Sequence, residues 1–286
     1  MCRRPLGLID DRRRWACPVG HSFDVAREGY VNLLLATQRR SRQPGDSSEM
    51  VAARRRFLAS GAYDPISDGL ATTVGREHPT VVLDVGCGEG RHTKQLPAPV
   101  VLGVDVAKAA VALAARAHPE GWYAVASAAD LPLGDACADL ALNVFGPIVP
   151  AELARVVRPG GLVVTVHPGP AHLASLRELV YADARPHEVK PPLRAAAEWF
   201  AKIESASLGF PVVVTDPALL EDLFAMTPYR WHAPPDIRER LVAVSSRRFE
   251  TSVDVLVTTY RRTALPFPAP GRPDPGGGGR GDGSPP

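Results

Sequence analysis

The stretch Val81-Val82-Leu83-Asp84-Val85-Gly86-Cys87-Gly88-Glu89-Gly90 decides the fold of this chain. Its first half is apolar and β-branched, which is typical of a strand buried in a parallel sheet, and the strand then stops in a glycine-rich turn. The three glycines allow a tight turn and let a ligand approach the backbone, because no Cβ stands in the way. We expect residues 91–96 to form the first turns of a helix whose N-terminal amides hold an anionic group.

A carboxylate at the end of this strand adds a second property to the turn. Asp84 can meet a cationic ligand, and the pattern D-x-G-x-G-x-G differs from the dinucleotide-binding pattern G-x-G-x-x-G. S-adenosylmethionine carries a carboxylate, an ammonium and a sulfonium, so it fits both the helix amides and the acidic side chain. The candidate cofactor contacts in this stretch are therefore Asp84, Gly86, Gly88, Glu89 and Gly90.

A second acidic residue, Asp105, follows the next apolar run, at residues 99–104. It lies 21 residues beyond Asp84, and an acidic residue about 20 positions on, at the end of the second strand, binds the hydroxyls of a nucleotide ribose. Two other interpretations are a solvated loop aspartate and the N-cap of a helix predicted over residues 108–117. The strand–loop–helix–strand order around Asp105 favours ribose binding.

Composition bounds the class of protein. The 286 residues suffice for one large or two small domains, and 45% hydrophobic and 22% charged residues are ordinary for a soluble globular protein. No apolar run approaches the roughly 18 residues that span a bilayer, and no hydrophobic signal region follows the first residues. Four cysteines, at positions 2, 17, 87 and 137, are not spaced like a secreted disulfide framework. We interpret the chain as a cytoplasmic enzyme with no membrane partner.

Charge is distributed unevenly along the chain. Residues 1–60 hold 12 basic against 6 acidic residues, whereas the remaining 226 hold 21 against 25. A basic first segment suggests that the N-terminal part binds a polyanion, although arginines also decorate solvated surfaces. Asp46 or Ser47 is predicted to cap a helix that runs to about Ser60. The candidate phosphate-binding residues lie before and on this helix: Arg39, Arg40, Arg42, Arg54, Arg55 and Arg56.

Three residues near the N-terminus have metal-ligand character. Cys17 and His21 form C-x3-H, in which a short turn lets both side chains point at one ion, and Cys2 is a third candidate. A structural zinc site normally closes with four ligands, so three donors are either an incomplete site or an accidental grouping.

Several stretches resemble one protein family closely. They are residues 21–34 (HSFDVAREGYVNLL) and 40–50 (RSRQPGDSSEM), with Phe57, Leu58, Gly61 and Tyr63. These are similar to the 23S ribosomal RNA (guanine-N1)-methyltransferases, and the resemblance runs from about residue 2 to residue 262. It includes residues 226–231 (MTPYRW), where the family usually has alanine in place of Arg230. Some members of the family confer resistance to macrolides such as tylosin and mycinamicin.

The resemblance implies an α/β fold, a Rossmann-like class I S-adenosylmethionine-dependent methyltransferase with a small N-terminal zinc-binding module. It also implies that Tyr63 and His172 contact S-adenosylmethionine, although His172 is alternatively a cap on the following helix, and that the protein is a homodimer. The family has C-x2-C ahead of C-x3-H, and this sequence departs there because only Cys2 precedes Cys17. Either the true start lies upstream of Met1, or one zinc ligand is missing.

Further strands are expected to complete the sheet. Residues 122–126 and 139–145 are the third and fourth strands, a helix covers 152–157, and residues 158–161 turn into a fifth strand at 162–166. In related methyltransferases the loop after the third strand lies beside the adenine, so Ser127, the Ala128 amide and Asp130 are candidate contacts. Asp130 is alternatively an ordinary turn residue.

The chain divides into four predicted regions. Residues 1–36 form a zinc-ribbon-like RNA-binding module, and 37–78 a basic linker and helix. Residues 79–262 form the methyltransferase domain, and 263–286 a Pro/Gly-rich tail that is predicted to be disordered. Within the third region, residues 181–207 are predicted to be irregular, whereas 211–215 and 253–260 form the last strands, with a helix at 218–226 between them.

The predicted activity is methyl transfer to N1 of a guanine in a 23S rRNA hairpin. Guanine N1 carries a proton, so the site must remove it or stabilise charge on the ring oxygen; Asn143 and His167 are candidates, and neither stands out. Phe145 or Trp231 would stack on a flipped base, or else pack in the core. The alternatives are a small-molecule methyltransferase and a catalytically inactive RNA-binding protein.

Overall fold

The computed structural model describes residues 4–11, 13–35, 45–181, 183–189, 191–245 and 248–264. Near the N-terminus, three short strands form an antiparallel sheet: β1 (Gly7–Ile9), β2 (Arg14–Ala16) and β3 (Ser22–Asp24). The predicted arginine loop, with Arg39, Arg40 and Arg42, lies outside the described residues, as do Cys2 and most of the predicted tail.

A large mixed sheet forms the body of the protein. Its strands are β4 (Tyr30–Asn32), β5 (Val81–Val85), β6 (Val100–Asp105), β7 (Trp122–Val125), β8 (Ala138–Val144), β9 (Val157–Pro168), β10 (Phe200–Val214) and β11 (Phe249–Arg262). They lie in the order β10-β11-β9-β8-β5-β6-β7-β4, in which β4 to β9 pair in parallel and β10 and β11 antiparallel. This doubly wound arrangement confirms the predicted Rossmann-like fold.

Helices cover both faces of this sheet. They are α1 (Ser48–Ala59), α2 (Asp64–Glu77), α3 (Lys108–Ala117), α4 (Pro150–Val156), α5 (Ala174–Val180), α6 (Pro217–Ala225) and α7 (Ile237–Ser245). Of the two predicted caps for α1, Ser47 is the correct one, since its hydroxyl accepts a hydrogen bond from the Met50 amide at 3.2 Å. The apolar residues of the strands alternate between two buried layers, one on each face of the sheet.

The N-terminal segment is joined to the large sheet through β4. Although β4 lies within the region predicted as a separate module, Tyr30 pairs with Tyr123 of β7 at the edge of the large sheet. Trp15 of the small sheet also packs edge-to-face on Trp122, with ring centroids 5.7 Å apart. The domain boundary at residue 36 stays a prediction, and the chain crosses between the two sheets before it.

The segment after the glycine loop differs from the prediction. Residues 91–96 form no α-helix; the backbone makes a single 3₁₀ turn at Thr93–Gln95. Leu96 precedes a proline, which disfavours the helical conformation, and its ψ of 124° is extended. The expected row of helix amides is therefore missing from this segment, and any anion must be held by the loop itself.

Two other predictions in the second half of the chain are wrong. The predicted irregular region contains the first half of β10, which pairs with β11 along its whole length. Residues 201–207 of β10 are exposed, so no alternating apolar pattern indicated a strand there. The turn predicted at 158–161 is part of β9, where Gly160, with φ +78°, accompanies a shift of register against β8.

Candidate active site

The glycine loop leaves β5 and turns sharply at the carboxyl edge of the sheet. The amides of Gly86 and Cys87 both donate to the carbonyl of Val104, at 2.7 and 3.1 Å, which ties the loop to β6. The glycines serve different purposes. A Cβ on Gly90 would stand 2.9 Å from that of Ala114 in α3, whereas a Cβ on Gly88, where φ is +54°, would have no atom within 4 Å. Gly90 therefore permits close packing, and only Gly88 has an open side.

Asp105 ends β6 and holds the glycine loop from the other side. Its carboxylate accepts hydrogen bonds from the amides of Gly88 at 3.0 Å and Ala107 at 2.8 Å. Burial raises the pKa of Asp105, and these two amides lower it. The predicted N-cap of α3 is wrong, because Ala107 occupies that position and no side chain caps the helix. Ribose binding by Asp105 stays a prediction.

Two further carboxylates lie buried around this loop. Asp84 accepts a hydrogen bond from the hydroxyl of Thr93, and burial raises the pKa of Asp84 to about 7. Burial likewise raises the pKa of Glu89. Among the described residues, Asp84 Oδ1 and Glu89 Oε1 have no hydrogen-bond partner. Unpaired buried carboxylate oxygens suit a ligand with an ammonium, a sulfonium and hydroxyl groups, so these residues fit S-adenosylmethionine. The sequence had not indicated Thr93, because nothing local reveals that its hydroxyl meets Asp84.

A cavity of about 280 Å³ adjoins this loop at the ends of β8 and β9. It is lined by Asn143, Phe145, Gly146, Ile148, Val166, His167, Pro168 and Pro192. Gly146, which lines the cavity, lies beside the glycine loop: a Cβ added to Gly86 would be 3.6 Å from the Cα of Gly146. Ligands of open α/β sheets bind at this edge. The two residues predicted for proton chemistry, Asn143 and His167, thus line one cavity.

Phe145 has a strained backbone at the mouth of this cavity. Its φ is +55°, a left-handed conformation that costs a bulky residue about 1–2 kcal/mol, and its amide is fixed by the carbonyl of Val166 at 2.9 Å. The side chain is 42% exposed, and Trp231 is 62% exposed. Core packing is therefore the wrong interpretation for both aromatic residues, and stacking on a base stays a prediction. The ring of Trp231 already has Arg230 over it, at 5.0 Å from the centroid.

Tyr63 and His172 come from distant parts of the chain and lie together. Their ring centroids are 6.4 Å apart, and His172 lies 5.5 Å from the ring of Phe145. The Nδ1 of His172 accepts a hydrogen bond from the Asp254 amide at 3.3 Å, and burial lowers the pKa of His172 to about 4, so the ring is neutral. The helix cap proposed for His172 is wrong, because Leu173 flanks α5. Contact of either residue with S-adenosylmethionine is untested.

The loop after β7 forms a closed turn. The carbonyl of Ser127 accepts a hydrogen bond from the Asp130 amide at 3.1 Å, and its hydroxyl accepts one from the Ala129 amide, also at 3.1 Å. Ser127 and Ala128 are half-buried at the carboxyl edge, and Asp130 is exposed. This geometry matches the turn interpretation of Asp130, and the predicted adenine contacts of Ser127 and Ala128 stay predictions.

The predicted metal ligands are brought together in part. The Sγ of Cys17 lies 3.3 Å from Nδ1 of His21, close to the roughly 3.6 Å expected for two such ligands on one tetrahedral zinc ion. The pair fits zinc, although the described part of the chain contains no group of three metal-binding side chains. Cys2 lies outside the described residues.

The arginines of α1 differ in their partners. Arg54 pairs with Asp46 at 2.5 Å, and Arg56 makes a two-pronged contact with Asp222 of α6, at 2.5 and 2.8 Å. Arg55 makes no ion pair with a described residue and faces a groove between α1 and α3, which Arg116 also lines. Of the three predicted phosphate contacts on this helix, only Arg55 is therefore unengaged, and RNA binding stays a prediction for all three.

The strand order, the glycine loop with its acidic residues and the adjoining cavity define a class I methyltransferase. A family model described as "Methyltransferase domain" matches residues 83–165, and a zinc-ribbon model described as "RlmA, N-terminal" matches residues 1–42. In the described residues, no helix is long and apolar enough to cross a membrane.

Relatives match nearly the whole chain. The 23S rRNA (guanine(748)-N(1))-methyltransferase of Streptomyces fradiae is 38% identical, with 91% of this chain and 94% of that protein covered. A Micromonospora griseorubida protein with the provisional name 23S rRNA (guanine-N1)-methyltransferase is 35% identical, over 91% and 95%. A similarly named protein of Bacillus subtilis is 31% identical, over 83% and 88%. This chain belongs to the 23S rRNA (guanine-N1)-methyltransferase family, which confirms the predicted resemblance.

Proposed function

We propose that this enzyme transfers a methyl group from S-adenosylmethionine to N1 of a guanine in a 23S rRNA hairpin. The main structural support for this proposal is the cavity, which adjoins the glycine loop where Gly146 lies beside Gly86. A base in this cavity would lie next to a cofactor held in the loop. The similarity to the Streptomyces fradiae enzyme over 91% of the chain supports guanine N1 as the target.

The chain holds each reactant by different means. The loop carboxylates would bind the cationic end of S-adenosylmethionine, and Asp105 its ribose. When bound, the cofactor supplies a methyl group that its sulfonium has already activated. The protein therefore contributes mainly alignment of N1 with that methyl group. Transfer would form the bond from N1 to carbon as the carbon–sulfur bond breaks, and N1 would give its proton to water.

Proposals about the surroundings of the site extend the same function. Cys17 and His21, with Cys2, would hold a zinc ion that orders the N-terminal module for RNA binding. Arg55 and the arginines at 39, 40 and 42 would bind phosphates of the hairpin. We further propose a cytoplasmic homodimer, in which modification of the ribosome confers macrolide resistance.

Primer extension on 23S rRNA from cells with and without the gene tests the proposed function. A methyl group on N1 blocks Watson–Crick pairing, so reverse transcriptase will stop one nucleotide before the modified guanine. A stop that depends on the gene identifies the reaction and the position together. If 23S rRNA gives no such stop while the purified protein binds S-adenosylmethionine, the substrate is a small molecule and the proposal is wrong. A protein that binds no cofactor would instead be an inactive RNA-binding relative.

A further inference from the structure

His167 lies at the end of β9, and its side chain lines the cavity. Its Nδ1 is inaccessible and has no hydrogen-bond partner among the described residues. The residue as a whole is only half-buried and lines the cavity. Since Nδ1 is covered, Nε2 is the ring nitrogen that remains for a ligand in the cavity.

The burial of Nδ1 decides which nitrogen holds the proton. A buried N–H without an acceptor is costlier and rarer than a buried acceptor without a donor. The favoured neutral form therefore carries its proton on Nε2, and burial lowers the pKa of His167, which keeps the ring neutral at pH 7. His167 thus presents an N–H donor to the cavity.

Asn143 presents the opposite group. Its Nδ2 donates to the carbonyl of Val85 at 2.8 Å and to that of Pro147 at 3.3 Å, which uses both amide hydrogens. Its Oδ1 makes no hydrogen bond with a described residue, so it remains as an acceptor. Asn143 pairs with Thr165 across the parallel strands, and His167 is two residues beyond Thr165, so both side chains project from the same face of the sheet.

We propose that His167 and Asn143 read the Watson–Crick edge of guanine, an inference that rests on the proposed function. Nε2–H of His167 donates to guanine O6, and Oδ1 of Asn143 accepts from the 2-amino group. N1 then lies between these two contacts, and the glycine loop adjoins the same cavity at Gly146. Adenine has a donor at position 6 and no 2-amino group, so it would leave both side chains unsatisfied.

The same contacts assign a chemical role to His167. When N1 loses its proton to water, negative charge gathers on O6, where the N–H of His167 stabilises it. Neither residue removes the proton in this arrangement, since Nε2 is already protonated and an amide oxygen is a very weak base. The two residues that the sequence indicated as possible bases therefore recognise and stabilise the substrate.

A pair of substitutions tests the donor. His167→Ala is expected to lower kcat about 100-fold on a synthetic hairpin that carries the mapped guanine. His167→Gln, whose amide presents N–H at a similar reach, is expected to stay within about tenfold of the wild type. Affinity for S-adenosylmethionine, measured by calorimetry, should be unchanged in both, and exposed His232→Ala is the matched control. An alanine variant within threefold of wild type overturns the proposal, as does a glutamine variant as slow as alanine.

Altered hairpins test the contacts without any risk to folding. Inosine at the target keeps O6 and N1–H but lacks the 2-amino group, so kcat/KM should fall about tenfold for both the wild type and His167→Ala. Thioguanosine, in which sulfur replaces O6, should lower kcat/KM of the wild type but lower that of His167→Ala little further. Full activity on inosine overturns the Asn143 contact. Wild-type protein that leaves unmodified guanine untouched overturns the proposed function, whereas wild-type activity with no variant effect overturns this inference alone.

Discussion

The two halves of the candidate site are built from opposite kinds of groups. The cofactor half has three carboxylates around a backbone loop, of which Asp84 and Glu89 are buried and Asp105 is half-buried. The base half has neutral donors and acceptors around a cavity, and an exposed aromatic ring at its mouth. This difference suits a reaction in which the positive charge belongs to the cofactor and the nucleophile is a neutral base. It also separates the residues that would bind the cofactor from those that would recognise the RNA.

The halves differ as well in how the chain assembles them. The three carboxylates of the cofactor half come from residues 84–105, one continuous stretch that two strands and their loops bring together. The base half draws residues 143–148, 166–168 and 192 from three separate segments. Removal of a carboxylate from the first half should therefore alter cofactor affinity and not RNA binding, whereas substitutions in the second half should alter turnover of RNA.

Loss of charge at Asp84 should give the largest effect on this contrast. Asp84→Asn retains a side chain that can bond to Thr93 but removes the carboxylate, so affinity for S-adenosylmethionine at pH 8 should fall at least about 100-fold. Binding of the rRNA hairpin should be unaltered. Calorimetry measures the first quantity and a filter-binding assay the second. Unchanged cofactor affinity would show that Asp84 has only a structural role.

Gly88 and Gly90 of the loop should respond unequally to an added methyl group. Gly90→Ala should lower the free energy of unfolding by about 2–3 kcal/mol, because its Cβ would meet α3 at 2.9 Å, whereas Gly88→Ala has only the strained φ and should lose about 1 kcal/mol. Urea unfolding measures both. Equal losses would contradict the assignment of Gly90 to packing and Gly88 to the ligand side.

Cofactor affinity should depend on pH through Asp84. Because burial raises the pKa of Asp84 from 3.8 to about 7, the protonated form must lose its proton before it can pair with a cation. Affinity should therefore rise up to about tenfold per pH unit as pH approaches 7, and level off above it. The same raised pKa stabilises the cofactor-free fold at low pH, and this stabilisation is lost as the pH rises through about 7. Asp84→Asn should remove the contribution of Asp84 to both dependences.

The smallest effect concerns RNA binding outside both halves. Arg55→Ala should reduce the slope of log affinity against log salt by about 1, as expected for one lost phosphate contact. Arg56→Ala should leave the slope unaltered and lower the midpoint of thermal unfolding, since it strands Asp222. Filter binding over a salt series separates the two variants. Equal slopes for Arg55→Ala and the wild type would make Arg55 part of a solvated face.

The sequence by itself determined the features that depend on neighbouring residues. The β5 strand and its turn follow from apolar β-branched residues that end in three spaced glycines. Ser47 caps α1, and α3 covers the predicted residues 108–117, because capping and helical periodicity act within a few residues. The family could likewise be recognised from the sequence, because its motifs are short continuous stretches.

Only the tertiary structure decided what depends on distant contacts. Asp222 lies 166 residues from Arg56, so no local pattern separates Arg56 from Arg55. The exposed first half of β10 is a strand because β11 supplies its hydrogen bonds. The tautomer of His167 depends on what covers Nδ1. Hydrogen bonds and burial act through space, and it is folding that sets which groups meet.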